Sequence, residues 1–474
     1  MPRFLSEYKN RVMLVYIVGL FMQIIDGTVV NIAIPTLADE FGVDSTDVDW
    51  AIIGFYVALA VVIPIAGFLG DKFGTKRIFL MALGGFVLAS GLCGAAQTLD
   101  QLIFFRMLQG LFAGLITPIG SAMLFRAFPL KERAKASAAV IGVAVVAPAI
   151  GPAMGGALIE TLSWRWIFYI NIPIGGLGLL AALLWLKEDV VGTSGRIDWA
   201  GLILSGAGVG LVLFGVSEGP NRGWTSGLII AALVVGSAAL VLLVLIETRI
   251  DDPALTLRLY RDRLFRATNL TSAPVYMGFF SLIFLLPVFL QKVGDHSPFI
   301  TGITVSFQAI GVIISSQITG RWLYGAIGPR GLLTFGSLAA MVVSLWFVTV
   351  DETTSLVAIA GVTFLRGLAM GLVFIPIQTA TYATIPLPDM GRATSLFNMQ
   401  RQAAVGAGVA VVATVLSSMV SSLDSPLDGG APTVDRVDAF RMAFLVSALC
   451  FGIGAITSRL FHNEDAAATM AARR

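Results

Sequence analysis

The stretch VMLVYIVGLFMQIIDGTVVNIAI, residues 12–34, decides the fold class of this chain. It is long enough to cross a lipid bilayer, because a spanning helix needs about 20 mostly apolar residues. It also contains Asp26, and a charged side chain at the centre of a span costs at least about 2.5 kcal/mol. An acid kept at that depth indicates a functional site. We favour a titrating group in a water-filled cavity, and a buried acid neutralised by one structural partner is the alternative.

The polar and small residues of this stretch share one face of the expected helix. At 100° per residue, Gln23, Asp26 and Asn31 fall with Gly27 in one sector of about 140°. Bulky apolar side chains occupy most of the remaining circumference. One face is therefore expected to line a polar cavity, where Gln23 and Asn31 are candidates for contact with a substrate.

The composition of the whole chain also indicates a membrane protein. Of 474 residues, 57% are hydrophobic and 13% are charged, and the mean hydropathy is +0.87. A soluble domain cannot bury so large an apolar fraction. The first run is too long for the apolar part of a cleavable signal and is expected to remain as a span. We predict an all-α integral membrane protein with fourteen spans, near residues 12–34, 50–69, 78–97, 101–124, 136–159, 166–186, 198–216, 226–246, 267–290, 299–320, 331–350, 354–378, 394–418 and 439–460.

Positive charges are distributed unevenly between the two sides of these spans. Fourteen spans place both termini on one side, which carries 24 of the 31 Lys and Arg residues, Arg392 and Arg401 among them, against five on the other side. The positive-inside rule makes that side cytoplasmic. Arg106 and Arg366 are the two cations within spans. The net charge is only +2, so the basic loops are topology signals and a nucleic-acid partner is not expected.

The fourth span reads RMLQGLFAGLITP over residues 106–118. Its polar and small residues recur at helical spacing, which suits close helix packing or a cavity wall, and Gln109 is a further cavity candidate. At 1.5 Å per residue, Asp26 lies ~12 Å from the outer end of its run and Arg106 ~8 Å from the outer end of its own. The two side chains are therefore able to meet. The alternative is an arginine that extends to the outer interface.

The connection between spans 2 and 3 reads GFLGDKFGTKR, residues 67–77. Its glycines allow a tight turn and its cations favour the cytoplasmic side. The segment resembles the Gly-X-Leu-X-Asp-Arg-X-Gly-Arg-Lys/Arg motif of the major facilitator superfamily, with lysine and threonine in place of two arginines. The resemblance implies a latch between helix ends on the cytoplasmic side. Its candidate residues are Gly67, Asp71, Gly74 and Arg77.

The fifth span contains APAIGPAMGG, residues 147–156. Small residues at four-residue steps give a flat face on which another helix can pack closely. The segment resembles the fifth-helix Gly-Pro motif that accompanies exporters of this superfamily working as antiporters. The candidate residues are Pro148, Gly151, Pro152, Gly155 and Gly156.

Two further segments resemble one branch of the superfamily, the fourteen-span drug:proton antiporters. WRWIFYINIP, residues 164–173, is similar to the Trp-Arg-Trp-X-Phe-X-Ile-Asn-X-Pro stretch of that branch. IDGTVVNIAIP, residues 25–35, is similar to Leu-Asp-X-Thr-Ile-Val-Asn-X-Ala-Leu-Pro in its first span. These motifs all lie in the first third of the chain.

The resemblance implies a bundle of two six-helix halves with two extra spans inserted between them. The second half repeats the first weakly, and Arg366-Gly367 is a loose copy of the fourth-span pattern. Spans 9–14 contain no acid, so Arg366 is a substrate candidate without an obvious carboxylate beside it. The expected division is an N-terminal half (1–190), an inserted hairpin (191–247), a cytoplasmic connection (248–266), a C-terminal half (267–462) and a tail (463–474).

The resemblance also implies a secondary transporter that exports lipophilic drugs or similar small molecules in exchange for protons. Burial raises the pKa of a carboxyl group in general and a nearby cation lowers it, so Asp26 is the expected proton carrier and Arg106 its tuning partner. We expect no cofactor other than the proton, and one proton per cycle. A dedicated exporter of an endogenous lipid, siderophore or amino-acid derivative would use the same machinery and is the alternative.

Other classes of function find little support in the sequence. No phosphate-binding Gly-X-X-X-X-Gly-Lys-Ser/Thr motif occurs, which argues against an ATP-driven pump on this chain. The two histidines lie outside the spans, so neither a metal site nor a membrane-embedded enzyme is expected. A structural or sensory membrane protein is a further alternative. The expected partners are a small-molecule substrate, protons and the lipid bilayer, and we expect a monomer in a bacterial inner membrane.

Overall fold

The computed structural model describes residues 6–188, 198–250, 253, 255–421 and 433–470, and the regular structure in these residues is helical. The predicted all-α architecture is confirmed. The long helices are α1 (Tyr8–Phe41), α2 (Ser45–Phe73), α3 (Thr75–Ala95), α4 (Leu99–Ala127), α5 (Arg133–Thr161), α6 (Trp166–Trp185), α7 (Trp199–Arg222), α8 (Gly227–Glu247), α9 (Arg263–Lys292), α10 (Pro298–Ile318), α11 (Pro329–Leu345), α12 (Leu356–Ala380), α13 (Met390–Ser421) and α14 (Thr433–Thr457).

Short helical pieces extend or join these helices. Helix α6 consists of two pieces, Trp166–Tyr169 and Asn171–Trp185. Thirteen helices in the described residues are long and apolar enough to cross a membrane, and α5 is a further helix of 29 residues. The other short pieces are Leu130–Glu132, Leu257–Arg261, Thr319–Leu323 (a π-helix), Tyr324–Ile327, Trp346–Thr349, Leu387–Asp389, Ser458–Leu460 and Ala467–Met470.

The helices are longer than the apolar runs that predict them. Helix α1 has 34 residues and is therefore ~51 Å long, well beyond the ~30 Å of a bilayer core. Polar residues outside the core continue the helix until a local signal ends it. Gly42 provides that signal, with φ of 65° and an amide that donates to the carbonyl of Ala38. Hydropathy thus reports the embedded part of a helix and not its ends.

The helices pack in two groups. Helices α1–α6 pack mainly on one another, with α2 along α4 and α1 along α5, and α9–α14 do the same, with α10 along α12 and α9 along α14. The two groups meet where α2 contacts α13 and where α5 contacts α10. Apolar clusters lie within each group, and a further cluster joins Ala122, Phe125 and Ala134 of the first group to the core of the second. This arrangement leaves a seam between the groups that is bordered by helices of both.

Helices α7 and α8 pair with each other beside this seam. Helix α7 packs on α2, where a Cβ at Gly206 would lie 3.0 Å from the Val61 side chain, and on α13. Only 22% of the α8 segment is buried, as expected for a helix that faces lipid. Residues 189–197, which include the predicted start of the hairpin, lie outside the described residues, as do 251, 252 and 254 of the connection and 471–474 of the tail.

Candidate functional site

Asp26 lies inside the first helix group and contacts Arg106. The two side chains are 1% and 0% exposed, and Arg106 Nη1 donates to Asp26 Oδ2 at 2.5 Å. Because the guanidinium is fully buried, it does not extend to the outer interface. The structure therefore brings together the two embedded charges that the sequence places at similar depth.

Two amides complete the contacts of this carboxylate. Asp26 Oδ1 accepts from Gln109 Nε2 at 2.8 Å and from Asn171 Nδ2 at 2.9 Å. Asn171 Nδ2 also donates to Ser90 Oγ at 3.0 Å. Every contact of the carboxylate is with a donor, which suits an ionised, acceptor-only group. We call these five residues of α1, α3, α4 and α6 the Asp26 cluster.

Arg106 makes further contacts besides its ion pair with Asp26. Its Nη1 also donates to Gln109 Oε1 at 2.7 Å, and its guanidinium carbon lies 4.1 Å from the centroid of the Phe55 ring. The Nη2 atom is buried without a hydrogen-bond partner in the described residues. An aromatic face and a paired carboxylate both reduce the penalty of burying a cation. The arrangement is a neutral ion pair in a site closed to solvent.

The other polar candidates of α1 lie apart from the cluster. Gln23 Oε1 accepts from Thr117 Oγ1 at 2.8 Å, and Asn31 is exposed. Sequence reasoning missed Ser90 and Asn171 as members of the site. Asn171 stands in the aromatic segment of residues 164–173, which offered a signal, whereas nothing in the sequence singles out Ser90.

The small residues of α5 face α1 directly beside the cluster. A Cβ at Gly151 would lie 2.2 Å from Thr28 Oγ1, and one at Gly155 would lie 2.8 Å from Val29 Cγ1. Gly156 has open space around it, and Pro148 is exposed. The side chain of Pro152 lies outside the described residues. The close contact therefore involves Gly151 and Gly155, against the turn of α1 that follows Asp26.

Arg366 of α12 is also fully buried, but its partners are neutral. It donates to Gln308 Oε1, to Ser344 Oγ at 3.2 Å, and to the carbonyls of Gly278 and Phe279 at 3.0 and 3.1 Å. None of its partners in the described residues is a carboxylate. At 0% exposure, Arg366 does not line a water-accessible cavity in this conformation.

Glycine contacts show which residues of the two helix groups correspond. A Cβ at Gly110 would lie 2.3 Å from the Phe55 carbonyl, and one at Gly367 would lie 2.2 Å from the Gln308 carbonyl. These glycines directly follow Gln109 and Arg366. Arg366 therefore occupies the position of Gln109 in the repeated pattern, and within the described part of the chain Arg366 contacts no counterpart of Asp26.

The C-terminal end of α2 and the N-terminal end of α13 are in direct contact. The amide of Gly67 donates to Ser395 Oγ at 2.6 Å, and a Cβ at Gly67 would lie 2.2 Å from the Gly391 carbonyl. The buried Asp71 carboxylate pairs with Arg126 at 2.7 Å and lies 3.9 Å from Arg392. Cations from α4 and α13 thus meet one acid of α2, and the seam is closed at this end.

Arg77 and Gly74 lie on another side of this connection. Arg77 is largely exposed, and its Nε is 3.4 Å from Glu188 Oε2, beyond the end of α6. Gly74 has φ of 96°, and a Cβ there would lie 2.2 Å from the Glu188 carboxylate. Both residues therefore tie α3 to the segment after α6. Sequence reasoning missed Arg126 as a partner of Asp71, because it lies on a different helix.

The predicted location of Arg401 in a loop is wrong. The charge count places it in a cytoplasmic loop with Arg392, but it lies within α13, about 16 Å along the helix from Met390. The predicted run 394–418 already contains Arg401, so the error lies in the charge count and not in the position of the helix start. Arg401 therefore belongs to the embedded cations, together with Arg106 and Arg366.

Comparison with known proteins gives concordant results. A family model described as the Major Facilitator Superfamily matches residues 16–409. The chain is 34% identical to the multidrug export protein EmrB of Haemophilus influenzae, over 82% of this chain and 77% of that protein. It is 31% identical to the multidrug resistance protein Stp of Mycobacterium tuberculosis, over 86% of this chain and 76% of that protein. The crystal structure of the human organic anion transporter MFSD10 (TETRAN) aligns with a TM-score of 0.65 at 15% identity, over 94% of this chain and 99% of that one, which shows the shared fold.

Proposed function

The chain belongs to the major facilitator superfamily, and on that premise we propose that it exports lipophilic drugs or similar small molecules in exchange for protons by alternating access. It is a multi-pass membrane transporter of the multidrug-exporter branch and not an enzyme. The proton coupling is the part that rests on the residues of this chain.

The observation that carries the proposal is the closed pairing of Asp26 with Arg106. In this conformation the two charges neutralise each other inside the first helix group. A movement that separated them would leave a buried carboxylate without its counter-charge, which is strongly unfavourable. A proton on Asp26 removes that penalty. The cluster can therefore alternate between an ion pair and a protonated acid, and each alternation carries one proton.

Helix packing offers a route from this cluster to the seam. Asp26 is followed on α1 by Thr28 and Val29, which touch the glycine face of α5. On its other side α5 meets α10 of the second group, where Gln317 Nε2 donates to the Ala138 carbonyl at 3.2 Å. A rearrangement of α1 at Asp26 would thus move a helix that borders both groups. The contacts of Asp71 with Arg126 and Arg392 would have to break when the cytoplasmic side opens.

The energy available to one proton per cycle is sufficient for useful export. A potential of 100 mV supplies about 2.3 kcal/mol per charge, and one pH unit supplies about 1.4 kcal/mol. With half a pH unit, one proton supplies roughly 3 kcal/mol, which sustains a gradient of ~150-fold for a neutral substrate. A second embedded acid is not needed for transport of this size.

We place both termini on the cytoplasmic side of a bacterial inner membrane and treat the functional unit as a monomer without a cofactor. The distribution of Lys and Arg supports this orientation. Cysteine labelling from outside the cell is expected at Ser45 and not at Thr75. The reverse labelling pattern would contradict the orientation.

Proton flux in inverted vesicles tests the proposed exchange. Addition of a transported drug to energised, acid-loaded vesicles should release protons from the lumen, as reported by a pH-sensitive dye. Vesicles with the Asp26→Asn variant should show no drug-dependent release, and the exposed outer-end variant Asp39→Asn is the matched control. Drug uptake without any proton movement in wild-type vesicles would refute the exchange.

A further inference from the structure

Arg401 is distinguished by its position on α13. It is half-buried, although it lies in the middle of the bundle's depth. The neighbouring positions on the same helix face, Phe397 and Ala404, are buried at 0% and 5%, while Ala403, which points about 200° away, is exposed. Arg401 therefore projects from the interior face of α13.

Tyrosines from both helix groups lie near this cation. Tyr276 of α9 and Tyr382 after α12 pack on Phe397, one helical turn before Arg401, with 6.4 and 5.9 Å between ring centroids. Tyr16 of α1, whose hydroxyl also bonds Ser121 Oγ at 2.9 Å, lies within electrostatic reach of Arg401. These three tyrosines are at most 5% exposed. Arg401 thus stands at the seam between the groups, where transporters built from repeats place their substrate sites.

Aromatic rings form the wall behind these hydroxyl groups. The Tyr276 ring stacks on Phe374 with 5.6 Å between centroids, and the Tyr382 ring meets Phe397 at 5.9 Å and Phe125 at 4.7 Å. Such a wall offers both faces and edges for stacking on a planar ligand. The site therefore combines one cation with phenol donors and an aromatic surface.

Arg401 differs from the paired cations in lacking an acid, and it shares this lack with Arg366, whose donors bond neutral groups. Arg106, Arg126 and Arg392 each face a carboxylate, whereas Arg401 has no ion-pair partner among the described residues. Asp26 is ten residues from Tyr16 on the same helix, ~15 Å along its axis. An arginine with a free planar fork in a partly desolvated site favours a carboxylate ligand.

We propose that Arg401, with Tyr16, Tyr276 and Tyr382, binds the carboxylate of amphipathic aromatic substrates, so that the transported class is organic monoanions. This inference rests on the proposed export function and specifies its substrate. The site lies ~14 Å above the contact of Arg392 with Asp71 along α13, and that contact shuts it from the cytoplasm in this conformation. Exchange of one proton for one monoanion moves two charges, so transport should depend twice as steeply on membrane potential as exchange for a neutral molecule.

Three probes of equal ring size separate charge from aromatic binding. We choose 1-naphthoic acid, 1-naphthalenemethanol and 1-naphthylmethylamine, measured at pH 7.5 by equilibrium binding to the purified full-length protein in lipid nanodiscs. The wild-type protein should bind the naphthoate at least tenfold more tightly than the alcohol, and the amine most weakly. Equal affinities, tightest binding of the amine, or no binding of any probe would overturn the proposal.

The variant Arg401→Gln should lose the tenfold preference for naphthoate and keep its affinity for the alcohol. Arg401→Lys should retain part of the preference, because it keeps the charge without the fork. Arg459→Gln, an exposed cation after α14, is the control and should bind as wild type. An unchanged preference in Arg401→Gln, with normal elution on gel filtration, would overturn the assignment.

A further variant keeps this inference distinct from the proposed function. Asp26→Asn should bind naphthoate as wild type, because the two sites are separate, while losing proton-driven transport. If Asp26→Asn still couples to protons but Arg401→Gln loses anion preference, the coupling mechanism fails and the anion site stands. If Asp26→Asn loses proton coupling but Arg401→Gln keeps the anion preference, the anion site is refuted and the coupling mechanism is supported.

Discussion

Arg106 and Arg366 are both completely buried on helices that occupy equivalent places in the two groups, yet their partners differ in charge. Arg106 bonds Asp26, whereas the hydrogen-bond partners of Arg366 in the described residues are hydroxyl, amide and carbonyl oxygens. A proton can switch the first set of contacts, because it neutralises the carboxylate. No partner of Arg366 in the described residues can be neutralised in this way. The comparison favours the first helix group for the proposed proton coupling and a fixed, organising role for Arg366.

The organising role follows from what Arg366 connects. Its donors reach the Gly278 and Phe279 carbonyls of α9, Gln308 of α10 and Ser344 of α11. Four helices of the second group are thereby tied to one side chain. These acceptors are buried, and those left without another donor would cost about 1–3 kcal/mol each if the arginine were removed, whereas the Gly278 carbonyl would keep the Ser447 hydroxyl at 2.7 Å.

The largest expected effect comes from removing the cation of the switchable pair. Arg106→Leu leaves the Asp26 carboxylate buried and unpaired, which should lower the free energy of unfolding by about 3–5 kcal/mol. The double variant Arg106→Leu with Asp26→Asn should recover most of that loss, because no buried charge is left unpaired. Unfolding in detergent measures both. If the double variant is no more stable than Arg106→Leu, then Arg106 does not stabilise the fold by neutralising Asp26.

Replacing Arg366 should lower the free energy of unfolding, and neutralising Asp26 should not restore it. Arg366→Lys keeps the charge and loses the fork, so we expect a loss of about 1–3 kcal/mol from unpaired acceptors. Adding Asp26→Asn should leave that loss unchanged. The protons moved per drug molecule by Arg366→Lys should equal the wild-type ratio, measured by dye and radiolabel in the same vesicles. A changed ratio of protons to drug molecules would show that Arg366 takes part in the coupling.

A smaller effect is expected where α5 touches α1. Gly155→Leu places a large side chain against Val29 and should reduce transport at least tenfold, while the protein still inserts into the membrane. Gly156→Leu is the matched control, because open space surrounds that glycine, and it should transport normally. Drug efflux and membrane content are measured together. Equal transport activity of the two variants would show that the contact of α5 with α1 does not link the Asp26 cluster to the seam.

The smallest effect should come from the amide donors of the cluster. Asn171→Ala removes one of the donors to Asp26 Oδ1 and should weaken the pair by about 1 kcal/mol. We expect a change of several-fold in the drug concentration that gives half-maximal proton release. Asn31→Ala, on the exposed part of α1, should leave this concentration unchanged. If Asn31→Ala has the larger effect, then the polar face of α1 and not the cluster sets the coupling.

The sequence predicts the fold class and the meeting of Asp26 with Arg106 well, since both follow from apolar run length and depth. It does not predict contacts that depend on how a helix is rotated about its axis. Depth alone gives no reason to choose Asn171 from among other embedded amides, or Arg126 over Arg77 as the partner of Asp71.

The assignment of charges to loops was the other weakness of the sequence reasoning. The charge count places Arg401 on the cytoplasmic side, although the predicted run 394–418 contains it and α13 continues through it. The sequence makes Arg366 a cavity candidate because no acid lies beside it in the chain, whereas the structure buries it among neutral groups of α9, α10 and α11. Positions within a span can be read from the sequence, but the surroundings of each side chain depend on packing between distant segments.

The most direct test of the account compares two transport modes of the Asp26→Asn variant in inverted vesicles. One mode is drug uptake driven by a pH gradient, and the other is exchange of labelled for unlabelled drug at equal pH. The account predicts that Asp26→Asn abolishes the driven uptake and retains the exchange, because binding and alternation remain while the proton carrier is gone. Driven uptake at the wild-type rate, or a ratio of two protons per drug in the wild-type protein, would contradict it.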